Sequence, residues 1–129
     1  PDGDEGAEVA LDAWVEMVAH NQRHPDGVAL YTAMSAAVID ASHQAYPWFR
    51  QHLMATIEYL VDTLERGKAA GEVHPDAPSE QIARKLVALS DGLQVQWLCS
   101  RADGGRDVDM HAVTAGVVSD IKDRWLIRS

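Results

Sequence analysis

A chain of 129 residues with 47% hydrophobic and 24% charged side chains is sized for one globular domain, able to bury about two-thirds of its unfolded surface without help from disulfides or a structural metal. Cys99 has no intrachain partner, no apolar run approaches the roughly 18 to 20 residues of a bilayer span, and Pro1 to Gly6 has neither the basic start nor the apolar core of a signal peptide; a soluble, cytoplasmic protein with no membrane partner is expected. Twenty acidic residues against eleven basic ones give a formal charge of −9, and a net negative field repels phosphate, so this chain by itself should not hold DNA.

Beyond the acidic start, hydrophobic residues recur at helical spacing and no sustained period-two alternation occurs, which predicts an all-α fold of five helices. The first runs from about Glu8 to Asn21, with Leu11, Trp14, Val15 and Val18 on one side. It stops before His24-Pro25, where the proline disfavours helical geometry in its predecessor. A second starts near Asp26, an N-cap candidate, carries Leu30, Met34, Ala37, Val38 and Ala41 on one stripe, and fades at Ser42-His43. Pro47 suits the first turn of a third and longest helix, about 36 Å at about 1.5 Å per residue. Its main stripe is Phe49, Leu53, Ile57, Leu60, Val61 and Leu64, and it ends near Ala70 with Gly71 as a left-handed C′ residue. After the linker Glu72 to Ala77, Pro78 and Glu80 mark a fourth helix reaching about Cys99. A polar loop, Ser100 to Gly105, leads to a fifth, capped by Asp107 or Asp109 and running to about Trp125. No internal repeat, low-complexity segment or domain boundary interrupts the chain.

At about 100° per residue, Ile82, Leu86, Leu89, Leu93 and Trp97 share one face of the fourth helix and form its core side. The opposite side carries Gln81, Arg84 and Lys85 in its first half but Ala88, Gly92, Val95, Gln96 and Cys99 in its second. An exposed helix would stay polar there, so this stripe predicts a second packing partner. Gly92 would let another backbone come close, at a cost of up to about 1 kcal/mol in helix propensity. The fifth helix repeats the arrangement, with Met110, Val113, Val117 and Ile121 on one side and Ala112, Ala115, Gly116 and Ser119 on another. The simplest structure burying both second stripes is a homodimer in which helices four and five of each subunit form a four-helix bundle. The alternative is that the small residues let these two helices pack together within one chain.

The stretch Leu-Glu-Arg-Gly-Lys-Ala-Ala-Gly-Glu-Val-His-Pro-Asp from Leu64, followed by Ile82-Ala83 and Leu89-Ser90-Asp91-Gly92-Leu93, resembles the C-terminal regulatory domain of the tetracycline-repressor-like (TetR-type) transcription regulators. In that family a long helix ends in a G-x-x-x-G-E turn, here Gly67, Gly71 and Glu72. A Pro-containing linker follows, and the next helix carries an A-x-x-x-x-A-x-x-D-G-L-like pattern, here Ala83, Ala88, Asp91, Gly92 and Leu93. The resemblance covers most of the chain in helix order and is clearest from Gly67 to Leu93. It implies an effector-binding and dimerisation domain of a DNA-binding repressor, dimerised through its last two long helices. Family members begin with a three-helix module containing a helix-turn-helix, and Pro1 to Arg23 has only Arg23 as a basic residue. The expectation is therefore a fragment whose DNA-reading part lies upstream.

The apolar stripes contain adaptable or flat side chains, Trp14, Met17, Met34, Met54 and Trp97, alongside Leu30, Val38, Ile57 and Val61. These either line an effector pocket or form plain core. Tyr31, Gln94 and His43 would orient a ligand or satisfy neighbouring backbone. A second stripe on the third helix, Trp48, His52, Ala55 and Tyr59, has three readings: cavity lining, contact with an upstream module, or amphipathic surface. His20 and His24 stand at i, i+4, but Pro25 puts His24 at or beyond the helix end and no third ligand is evident, so no metal is expected. Cys99 lacks an activating base and reads as a buried small hydrophobe. No phosphate loop, Ser-His-Asp order or paired-carboxylate signature is present, and neither catalysis nor a cofactor is expected. The leading expectation is an effector-sensing, dimer-forming regulatory domain with a small-molecule ligand, whose negative charge weighs against an anionic one. Its rival is a stand-alone helical interaction module.

Overall fold

The computed structural model describes residues 6–101 and 108–127; the expected cap Asp107 and most of the polar loop lie outside them. Among the described residues the chain is all-helical, with α1 (Ala7–Gln22), α2 (Pro25–Ser35), a short 3-10 helix (Ala36–Ile39), α3 (Tyr46–Ala69), α4 (Ser79–Arg101) and α5 (Met110–Trp125). α1 packs along α5 and α3 along α4, while α2 crosses against α4 and the end of α1. The core between them is built from Leu11, Trp14, Leu60, Leu64, Val73, Ile82, Leu86, Leu93, Trp97, Met110 and Val118.

The helix ends follow local chemistry. Pro25 occupies the first turn of α2, so the N-cap is His24 rather than the expected Asp26. α2 also stops well before Ser42. The Asp40 carboxylate accepts from the backbone N–H of Ser42 at 2.9 Å and from its hydroxyl at 2.7 Å, an Asx turn that gives the backbone an alternative to helix. The expected stripe of α2 therefore does not form a buried face: Val28 and Ala37 are buried, whereas Leu30 is 63% exposed.

Gly71 ends α3 at φ +76°. The Glu72 N–H bonds to the Gly67 carbonyl at 2.8 Å and the Gly71 N–H to the Lys68 carbonyl at 3.1 Å, the paired bonds of a Schellman cap. The linker beyond it is tied to the end of α5, with His74 N–H donating to the Trp125 carbonyl and Ile127 N–H to the Glu72 carbonyl, both at 2.8 Å.

Asp109 caps α5 by accepting from the Ala112 N–H at 3.1 Å. Gln22, the last residue of α1, donates to the same carboxylate at 3.3 Å and accepts from the His111 N–H at 2.9 Å, joining the end of one helix to the start of another. These donors hold the Asp109 carboxyl below the usual carboxylate range, the Ala112 N–H contributing most.

Two expectations need correction. The buried stripe of α5 is Met110, Thr114 and Val118, with Val113 exposed and Val117 only half-buried. The helix is rotated by about one position from the arrangement that hydrophobicity alone favours, and the hydroxyl of the fully buried Thr114 has no partner among the described residues. Cys99 is exposed rather than buried within the chain, because α4 turns its Trp97 and Ser100 inward and its Cys99 outward.

Candidate functional site

α1, α2, α3 and α4 converge on a cleft of about 680 Å³. The junction between α1 and α2 forms its mouth: His20, Arg23, His24 and Asp26 are exposed there. The His20 and His24 rings stack with centroids 4.1 Å apart. His24 Nδ1 lies 2.8 Å from the His20 carbonyl, which can only accept, so the proton sits on Nδ1. No group of three or more His, Cys, Asp or Glu among the described residues is placed to hold a metal ion.

Apolar lining comes from Trp14 on α1, Val28 on α2, Leu53 on α3 and Val87 on α4. The Trp14 indole N–H donates to the Ser90 hydroxyl at 3.1 Å, which fixes the ring against the middle of α4. One turn along α4, the Gln94 side-chain oxygen accepts from Thr32 at 3.5 Å, a long bond. Between them Asp91 meets Tyr31: the phenol donates to the carboxylate. The Tyr31 ring packs against Phe49, with centroids 5.4 Å apart, and edge-on to His52 at 5.7 Å. His52 stacks in turn under Trp48 at 5.2 Å, with the rings 4° from parallel.

Burial dominates the protonation of this group. It pushes Tyr31 up to about 12, with the charge and hydrogen bond of Asp91 adding to the effect, so the phenol remains a donor throughout the physiological range. Burial also raises Asp91, against the opposing pulls of the Tyr31 hydrogen bond and the nearby His52. An acid raised on folding weakens the folded state as pH rises, and the penalty disappears below the unfolded pKa of about 3.9. Asp91→Asn, which keeps an acceptor for Tyr31, is therefore expected to raise Tm at pH 7.5. The gain should shrink steadily as pH falls towards 4, and thermal melts across that range check the slope.

Of the residues expected to touch a ligand, the structure brings Trp14, Met17, Tyr31 and Gln94 to the cleft. Met34, Ile57 and Val61 lie outside its lining, the last two packed against the core. Leu30, Val38 and Met54 face solvent elsewhere, and Trp97 is core, with the Arg101 guanidinium 5.4 Å over its ring. His52 joins the lining, whereas Trp48 and Tyr59 of the same stripe are exposed beside it. Asp91 and Ser90 were not expected there. The signal available was a polar Ser-Asp pair set midway along the otherwise apolar stretch from Leu86 to Leu93.

The second stripe of α4 lies outside this site. Ala88, Gly92, Val95, Gln96 and Cys99 are all exposed, Val95 at 50%, and a Cβ built on Gly92 would meet nothing within 4 Å. On α5, Ala112, Gly116 and Ser119 are exposed and Ala115 half-buried, and Gly116 is equally open. Neither glycine accommodates packing by another of the described residues. Ala115 and Ser119 border a shallow groove against α1, where Lys122 pairs with Asp12 and, at 3.7 Å, with Glu8.

No described helix is long and apolar enough to cross a membrane. Comparison with protein-family models, curated proteins and solved structures finds no match.

Proposed function

We propose that the chain is a ligand-sensing, dimer-forming regulatory domain of the TetR type, in which a small molecule in the α1–α4 cleft biases the DNA contact of a helix-turn-helix module elsewhere in the same polypeptide. The observation that carries the reading is the double duty of α4. Ser90, Asp91 and Gln94 line the cleft, while Ala88, Gly92 and Val95 form an open, small-residue face on the same two turns. A ligand that prefers one position of α4 shifts the equilibrium by no more than that preference, and a dimer built on α4 would pass the shift to its twofold partner. DNA half-sites lie about 34 to 36 Å apart, so a small pivot of paired heads suffices to break simultaneous contact. The open face equally suits a stand-alone interaction module, and ligand binding in the cleft separates the two.

Sedimentation equilibrium tests the dimer. The chain is expected to sediment at twice its monomer mass at tens of micromolar. Gly92→Leu, at a position where an added Cβ meets no atom of the described residues within 4 Å, should halve that mass while leaving far-UV dichroism unchanged. A monomeric wild type under those conditions would refute the proposal.

A further inference from the structure

Resting on the reading of the cleft as an effector site, we infer that its ligand is an amphipathic amine, its ammonium seated on the Asp91 carboxylate and its apolar body against Trp14, Val28, Leu53 and Val87. Among the charged residues that line the cleft, Arg23, His20, His24, Asp26 and His52 are exposed and Asp91 is half-buried. A carboxylate has about four acceptor positions, and Tyr31 is the hydrogen-bond donor found on this one. No described Lys, Arg or His forms an ion pair with it. A partly desolvated, unpaired carboxylate weakens the folded chain, and a neutral residue of the same shape would not. Charges kept against stability are characteristic of binding sites.

The charged and titratable groups that line the cleft from each neighbouring element set the sign of the ligand. α2 offers the neutral phenol of Tyr31 and, at the mouth, Asp26 and its N-cap His24; α3 offers His52; the end of α1 offers His20 and Arg23. With histidines counted neutral, two carboxylates and one guanidinium leave the lining formally negative, inside a chain of charge −9. That field gathers cations. An anionic ligand would find Arg23 at the rim but would leave Asp91 unpaired. An ammonium satisfies Asp91 directly through charge-assisted hydrogen bonds, while the indole face of Trp14 adds a cation–π or stacking surface for the rest of the molecule.

A matched set of probes tests this on the unmodified chain: 4-phenylbutylamine, 4-phenylbutan-1-ol and 5-phenylpentanoate share one phenylbutyl body and differ in the charge of the head. Titration calorimetry at pH 8 is expected to give the amine an affinity about tenfold or more above that of the other two. Asp91→Asn should bring the amine down to the level of the alcohol. Equal binding of amine and alcohol, or tighter binding of the carboxylate, would overturn the inference and leave the cleft standing as a ligand site. Absence of binding by all three up to about 10 mM would overturn both.

Discussion

Gly67→Val is expected to lower the unfolding free energy by about 3 kcal/mol, at the upper end of what overpacking a filled interior costs. A Cβ at Gly67 would stand 2.5 Å from a methyl of Val73 and 3.4 Å from the Cβ of Ala7. Neither neighbour can give way. Val73 is completely buried, its N–H bonds to the Gly67 carbonyl at 3.2 Å, and it bridges to Leu126 beyond α5. The position is where the last turn of α3, the start of α1 and the linker to α4 touch, so the strain spreads to three elements. Urea denaturation checks the value. The same measurement on Gly92→Ala, made at a concentration low enough to keep the chain monomeric, provides the contrast, because within one chain no described atom stands within 4 Å of that Cβ and removal of a helix-interior glycine stabilises by up to about 1 kcal/mol. A midpoint for Gly67→Val equal to that of the wild type would show that the three elements do not meet as described.

The contrast between these two glycines shows what the sequence could and could not disclose. Both sit in helices, but spacing marks only Gly92 as a place where something comes close, Gly67 being read as part of a helix-ending turn. At Gly67 the neighbours are two other elements of the same chain, α1 and the linker; at Gly92 the described residues supply none. The helices themselves were legible because a 3.6-residue period, Pro47 in a first turn and Gly71 past a last one are local signals. That the helical stretch stops at Ile39 rather than Ser42 was less so, since the competing hydrogen bonds of Asp40 and Ser42 become visible only when the turn is formed. The register of α5 escaped because a buried threonine looks polar in a list of residues and its neighbour Val113 looks apolar, yet packing against α1 and α4 decides which faces inward. The cleft was half legible. Trp14, Met17, Tyr31 and Gln94 fit the idea of an adaptable wall, but Tyr31 and Asp91 meet only because α2 crosses α4, and no spacing along the chain encodes that crossing.

Trp14→Ala should be the most damaging single change in the cleft, because one ring serves two purposes. Its body belongs to the core, 9% exposed, and its edge holds the Ser90 hydroxyl. Truncating a buried tryptophan costs about 3 to 5 kcal/mol, which for a chain of this length corresponds to a fall in Tm of roughly 10 to 20 °C. Trp14→Phe keeps most of the apolar wall and removes the donor, leaving Ser90 without its partner at a cost of about 1 to 3 kcal/mol. Differential scanning calorimetry of the pair therefore divides the contribution of the wall from that of the bond. If the phenylalanine variant loses as much as the alanine variant, the hydrogen bond to α4 is what holds the cleft together. If it loses far less, the cleft is held by apolar packing, and the polar group formed by Ser90, Asp91 and Gln94 is free to change partners when a ligand enters without the fold changing with it.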